Sequence, residues 1–157
     1  YSQLIKSHGY NMIKKILSIL ALTFASAALA GSASNAPVKL EVTTPWARSA
    51  MAPNSNSAAY MVLKNNDNQD YEIIGVTATL TANRTELHES YVDDQQISRM
   101  RAVDKIVIPA QSQIELKPGG MHIMLMGLKQ DLKTGDKFII KLKINNFGIK
   151  DVEVTVK

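Results

Sequence analysis

The chain has 157 residues, enough for one domain with a buried core. It contains no cysteine, which excludes disulfide bracing, thiolate zinc sites, iron–sulfur clusters, thiol redox chemistry and a blue-copper centre. Its formal charge of +4 reflects Lys6, Lys14 and Lys15 near the start. Without those three, 15 basic residues face 14 acidic ones, a net of +1. No long run of like charge exists, so nucleic acid is not an expected partner.

In chain order, residues 1–11, "YSQLIKSHGYN", read as an upstream extension without function. Residues 12–30 then follow the pattern of a cleavable secretory signal peptide. Lys14 and Lys15 form a basic start, an apolar run opens at Ile16, and Ala28-Leu29-Ala30 closes it. The run is short for a membrane span and ends in small residues rather than a charged flank. The expected product is therefore exported, with no stable membrane insertion after signal removal.

Residues 31–157 read as a single β-domain. "VKLEVT" (38–43) and "DVEVTVK" (151–157) alternate strictly between apolar and polar residues. "AAYMVLKN" (58–65), "YEIIGVTATL" (71–80), "KIVIPAQSQIEL" (105–116) and "FIIKLKIN" (138–145) are rich in β-branched and aromatic residues. "NNDNQD", "KPGG", "KTGD" and "NNFG" supply turn compositions between them. Short strands at this spacing predict an all-β, antiparallel β-sandwich or barrel with Greek-key connections.

Two segments hold the candidate chemistry. In "ELHESYVDDQQISRMRAV" (86–103), "DDQQ" is a turn candidate. A hairpin folded about position 94 sets His88 opposite Met100, with Cβ atoms about 4.5–5.5 Å apart. In "GGMHIMLMGL" (119–128), an extended strand turns Met121, Ile123 and Leu125 to one face and His122, Met124 and Met126 to the other. His122 and Met124 are then about 6.5 Å apart along the strand. Two His–Met pairs could converge on one site.

Thioether sulfur is neutral and soft, suiting Cu(I) and offering little to Mg²⁺, Ca²⁺ or Zn²⁺. Imidazole binds copper in either oxidation state. Without an anionic ligand the ion keeps its charge, which favours Cu(I) and ready release, as a carrier requires. Oxidation to Cu(II) would favour nitrogen and oxygen donors and recruit outside ligands such as Glu86 or Glu89. The plainer alternative makes each methionine a core gap-filler. It fits Met61 and Met121, and leaves Glu86, Glu89, Asp93 and Asp94 as a solvated hairpin.

The spacing of His88, Met100, His122 and Met124 is similar to the H(M)-x10-M-x21-H-x-M motif of the PCuAC copper chaperones. "PWARSAMAPNSNSAAYMVLKN" (45–65) resembles that family's N-terminal stretch. The resemblance covers essentially the whole of 31–157. It implies a cupredoxin-like β-sandwich in the bacterial periplasm. It also implies Cu(I) held by His88, Met100, His122 and Met124, and delivery toward the Cu(A) site of cytochrome c oxidase. The implied acceptor is oxidase subunit II or an Sco-type protein. Glu89 stands where many members carry a second methionine, and the chain ends at "DVEVTVK" without a His/Met-rich tail. A second copper site is not expected, and Met51 and Met126 are auxiliary sulfurs at most.

Three other functions compete with a monomeric copper-transfer protein. A storage or tolerance protein would use the same site without a dedicated acceptor. A metal-free β-sandwich interaction module would use none of it. An enzyme is the weakest reading, because no Ser-His-Asp or Cys-His set is legible.

Overall fold

The computed structural model describes residues 38–157. The expected extension (1–11) and signal peptide (12–30) lie outside the described residues. The described chain forms ten strands: β1 Leu40–Ala47, β2 Ser57–Asn65, β3 Tyr71–Thr77, β4 Ala82–Val92, β5 Ser98–Ala102, β6 Ile106–Ile108, β7 Gln113–Leu116, β8 Met121–Leu128, β9 Lys137–Ile144 and β10 Gly148–Val156. No helix occurs among the described residues. The alternation read from the sequence is literal in β9. Phe138, Ile140, Leu142 and Ile144 are buried, and the residues between them are exposed.

The strands follow one hydrogen-bonded path, β5-β4-β8-β2-β1-β10-β9-β3-β6, with β7 added on β2. The fold is the expected cupredoxin-like β-sandwich, with one refinement. β1 and β10 run parallel, pairing Trp46 with Thr155 and Ala47 with Val156. Lys157 N donates to Ala47 O at 2.9 Å and Ser49 N to Lys157 O at 2.9 Å, extending that contact past the strand ends. Strict alternation predicts strand character but not the direction of a neighbour.

β2 takes two partners along one edge: residues 57–59 pair with β8 and residues 61–64 with β7. β1 carries a bulge between Thr43 and Trp46, with Thr44 at φ 49°, and such bulges re-aim a strand. The Thr85 hydroxyl donates to Val76 O at 2.7 Å, tying β4 to β3. One core cluster includes Met61, Ile73, Leu87, Ile123, Leu125, Ile140 and Val154. Met61 is buried there, and Met121 packs against it.

The stretch 105–116, expected as one strand, is two. Pro109 has no N–H to give a ladder, and Gln111 adopts φ 55°. The chain turns there, with Ser112 N donating to Pro109 O at 3.2 Å. β6 then pairs with β3 and β7 with β2.

Asn65 closes β2 from within the core, with no exposed surface. Its Nδ2 donates to Gln69 O at 2.7 Å and Ile108 O at 3.0 Å, and its Oδ1 accepts from Asp67 N at 2.9 Å. The 66–70 loop is therefore pinned to β6 through one amide. Next to it Tyr71 OH donates to Asp67 Oδ2 at 2.8 Å. That bond, first among the causes, holds the Asp67 carboxyl below the usual range. Asn65→Ala strands buried polar groups at about 1–3 kcal/mol each. Denaturant unfolding should show a loss of about 2–4 kcal/mol. A loss too small to resolve would mean that solvent replaces these bonds and that the amide does not pin the loop.

Candidate metal centre

β4 lies between β5 and β8, and its two registers decide which side chains meet. Against β8, Leu87 opposes Ile123, and these two face the core. The alternate positions form the other face. Arg84 opposes Met126, Glu86 opposes Met124 and His88 opposes His122. The two imidazoles thus sit side by side, ring centroids 5.8 Å apart and planes at 59°. Met124 lies diagonally beside His88, half-buried. Met121 lies on the opposite face, as the strand reading of 119–128 required.

His122 is only 3% exposed. Tyr60 lies at 6.3 Å between ring centroids, and Trp46 stacks on Tyr60 at 4.5 Å. The His122 Nδ1 faces the Gly120 carbonyl at 3.0 Å. A carbonyl only accepts, so Nδ1 is the donor and Nε2 carries a free lone pair. Backbone anchoring of this kind is what orients a ligating imidazole.

His88 is held differently. Its Nε2 contacts Glu86 Oε2 at 2.9 Å, and its Nδ1 is buried without a hydrogen-bond partner. Arg84 Nε lies 3.0 Å from the other carboxylate oxygen, Glu86 Oε1. The His88 hydrogen bond, assisted by the charge of Arg84, holds the Glu86 carboxyl below its ordinary range. Arg84 also approaches Met126 Sδ at 3.4 Å, setting a cation against that sulfur. Glu89 is not placed as an outside ligand. It projects to the opposite face of β4, and its Oε2 accepts from Arg101 Nε at 3.1 Å and Nη2 at 2.8 Å. Met51 sits 68% exposed in the loop before β2.

The expected pairing of His88 with Met100 needs correction. His88 opposes Ala102, and Met100 opposes Ser90. The hairpin centres on Gln95 rather than Asp94. Asp93 N donates to Ile97 O at 3.0 Å, while Asp93 Oδ1 accepts from Gln95 N and Ile97 N, each at 2.9 Å. Gln96 takes φ 62°. This side-chain-closed loop of three residues moves every partner by two positions. A two-residue shift preserves the face, so Met100 stays on the side of His88, one diagonal along. It lies toward Ser90, whereas Met124 lies toward Glu86. β5 is exposed along its whole length and Met100 is 60% exposed. The structure thus gathers His88, His122 and Met124, and leaves Met100 on the rim. Glu86, read from sequence as solvated or as an outside ligand for Cu(II), is instead hydrogen-bonded to His88, a contact the sequence reading missed. Its position two before His88 was the available signal.

Residues 40–156 match the family described as "Putative lipoprotein LpqE-like". The chain belongs to this family. It is 32% identical over 118 residues to "Putative lipoprotein Lxx21020" of Leifsonia xyli, covering 75% of this chain and 69% of that one. It is 34% identical over 116 residues to the uncharacterized protein RP573 of Rickettsia prowazekii, covering 71% and 63%. The family is of PCuAC type, in agreement with the resemblance carried by the His–Met spacing. The PCuAC domain of PmoF1 matches in fold, with TM-score 0.64 at 20% identity, covering 77% of this chain and 96% of that one. The solution structure of CuI-DR1885 from Deinococcus radiodurans matches with TM-score 0.55 at 32% identity, covering 82% and 83%.

The β4–β5 hairpin of this LpqE-like chain has a pH signature. Its Asp93 carboxyl is held below the ordinary range, first by Arg99 and then by the Ile97 amide. A depressed carboxyl contributes stability above its unfolded pKa and loses it as pH falls through the folded value. Asp93→Ala removes the two loop bonds to the Gln95 and Ile97 amides. Amide exchange at Gln95 and Ile97 should accelerate about tenfold or more at neutral pH. The difference from the parent should shrink in acid, and β8 amides should not change. Equal exchange at neutral pH would show that the carboxylate does not set the register.

Proposed function

We propose that this chain is a periplasmic Cu(I) metallochaperone that delivers copper toward the Cu(A) site of cytochrome c oxidase. The observation that carries the reading is the in-register pairing of His88 with His122 beside Met124. It puts two imidazoles and a thioether on one face, with no competing anionic donor except a carboxylate already bound by Arg84. Met100 supplies the fourth donor from the exposed edge strand β5. Copper is cargo here, not a resident cofactor, and the chain performs no catalytic turnover. The relative DR1885, whose solution structure is of its CuI form, supports copper as the ion. The word lipoprotein in the family description supports export.

The donor chemistry favours Cu(I). Two neutral sulfurs and two neutral nitrogens suit a soft monovalent ion, whereas zinc sites generally draw on thiolate or carboxylate as well. A rim donor on a fully exposed strand is also the one an acceptor reaches first. Oxidase subunit II or an Sco-type protein is the proposed acceptor, and the transferring species is a monomer. Storage without a dedicated acceptor uses the same ligands, and a failed transfer would favour it.

An anaerobic competition titration against a chromophoric Cu(I) chelator should give one copper per chain. His122→Ala and Met124→Leu should weaken binding strongly, and Met100→Leu should weaken it and slow transfer to a purified Cu(A) domain. Met121→Leu should bind as the parent does, because its sulfur lies on the other face. Equal losses from Met121→Leu and Met124→Leu would refute the proposed site.

A second measurement uses exposure. Mild peroxide should convert the exposed Met100 to its sulfoxide well before the buried Met61. Copper retention should fall with Met100 oxidation while the circular dichroism of the β-sandwich persists. Full retention by chains oxidised at both Met100 and Met124, as read by mass spectrometry, would exclude thioether ligation.

A further inference from the structure

We propose that copper binds His88 through Nδ1 and His122 through Nε2, with Glu86 as the positioning residue that holds the opposite nitrogen of His88. This rests on the copper reading above. Glu86 is a carboxylate and can only accept, so the His88 nitrogen facing it at 2.9 Å, Nε2, is the donor. A neutral imidazole has one N–H, so Nδ1 presents a lone pair. That Nδ1 is buried and is the one buried side-chain polar atom without a partner among the described residues. Such a group carries a desolvation cost that a protein bond would normally relieve, and a metal ion relieves it here.

His122 has the mirror arrangement, with Nδ1 tied to the Gly120 carbonyl at 3.0 Å and Nε2 left with its lone pair. Each ring is therefore fixed by one nitrogen and open at the other. Glu86 is itself fixed, since Arg84 Nε holds its second oxygen at 3.0 Å. The Arg84–Glu86–His88 chain runs along one face of β4 and ends at the copper site. It is a carboxylate–histidine–metal relay, which sets the tautomer and raises ligand basicity. It also brings one negative charge within a hydrogen bond of a donor set that is otherwise neutral. Glu86 then acts without touching copper, and the alternative, in which copper takes Nε2 and displaces Glu86, leaves Nδ1 unpartnered.

The test is the two-bond ¹H–¹⁵N spectrum of the imidazoles in the full chain, metal-free and after anaerobic loading with Cu(I), which is diamagnetic. Metal-free His88 should be protonated at Nε2 and bare at Nδ1. On loading, the His88 Nδ1 and His122 Nε2 resonances should move. Glu86→Gln should keep the tautomer, because its amide oxygen still accepts from Nε2. Glu86→Leu should mix the two tautomers and weaken Cu(I) binding about 10- to 100-fold. A copper-induced shift at His88 Nε2, or an unmixed tautomer in Glu86→Leu, would overturn the proposal. A chain that binds one Cu(I) through Nε2 sinks this inference alone, and a chain that binds no Cu(I) sinks the copper reading with it. The parent and Glu86→Gln spectra decide the ligating atom even if Glu86→Leu fails to fold.

Discussion

The register of β4 on β8 is the constraint on which the rest depends. Leu87 opposite Ile123 buries one face against the core. The same register puts His88 opposite His122 on the other face. A slip of β4 by one residue would turn His88 inward and Leu87 outward, and would part His88 from His122. Burial of the apolar face therefore fixes the polar constellation. The proposed donors need no special backbone of their own, since they occupy the alternate positions of strands that the core already holds.

The polar face is finished by local bonds rather than by packing alone. His122 is roofed by Tyr60 and anchored to Gly120, while His88 is anchored through Glu86 to Arg84. These bonds settle which nitrogen of each ring is free. They also explain why an arginine and a glutamate stand beside a site of neutral donors. The carboxylate is occupied on both oxygens, so it can orient a ligand without competing as one.

Rigidity differs across the site. β8 is an internal strand of the path, paired on both sides by β4 and β2, and carries His122 and Met124. β5 is the terminal strand of that path, wholly exposed, and is held by the Asp93 loop and by Arg101 on Glu89. Segments with few buried contacts occupy the low-stability end of a fold. Three of the proposed donors thus sit on the stable side, and the proposed fourth, Met100, on the side that opens most easily. A carrier needs both properties, because it must select an ion and then give it up.

The sequence by itself determined the strand character of the domain, the face of each residue from Met121 to Met126, and the four candidate donors. Period-two alternation is local information, and it survives in the structure, most clearly in β9 and β10. Motif spacing added the PCuAC resemblance, and the match of residues 40–156 to the LpqE-like family agrees with it. Tertiary structure decided what alternation cannot carry. It split 105–116 at Pro109 and set β1 parallel to β10. It also moved the hairpin centre to Gln95, so that Met100 opposes Ser90 rather than His88. Each of these is a choice of partner, fixed by non-local backbone bonds or by one side chain such as that of Asp93 capping a loop. The role of Glu86 belongs to the same class. A strand pattern shows which face a carboxylate shares, but only the folded chain shows which nitrogen it holds.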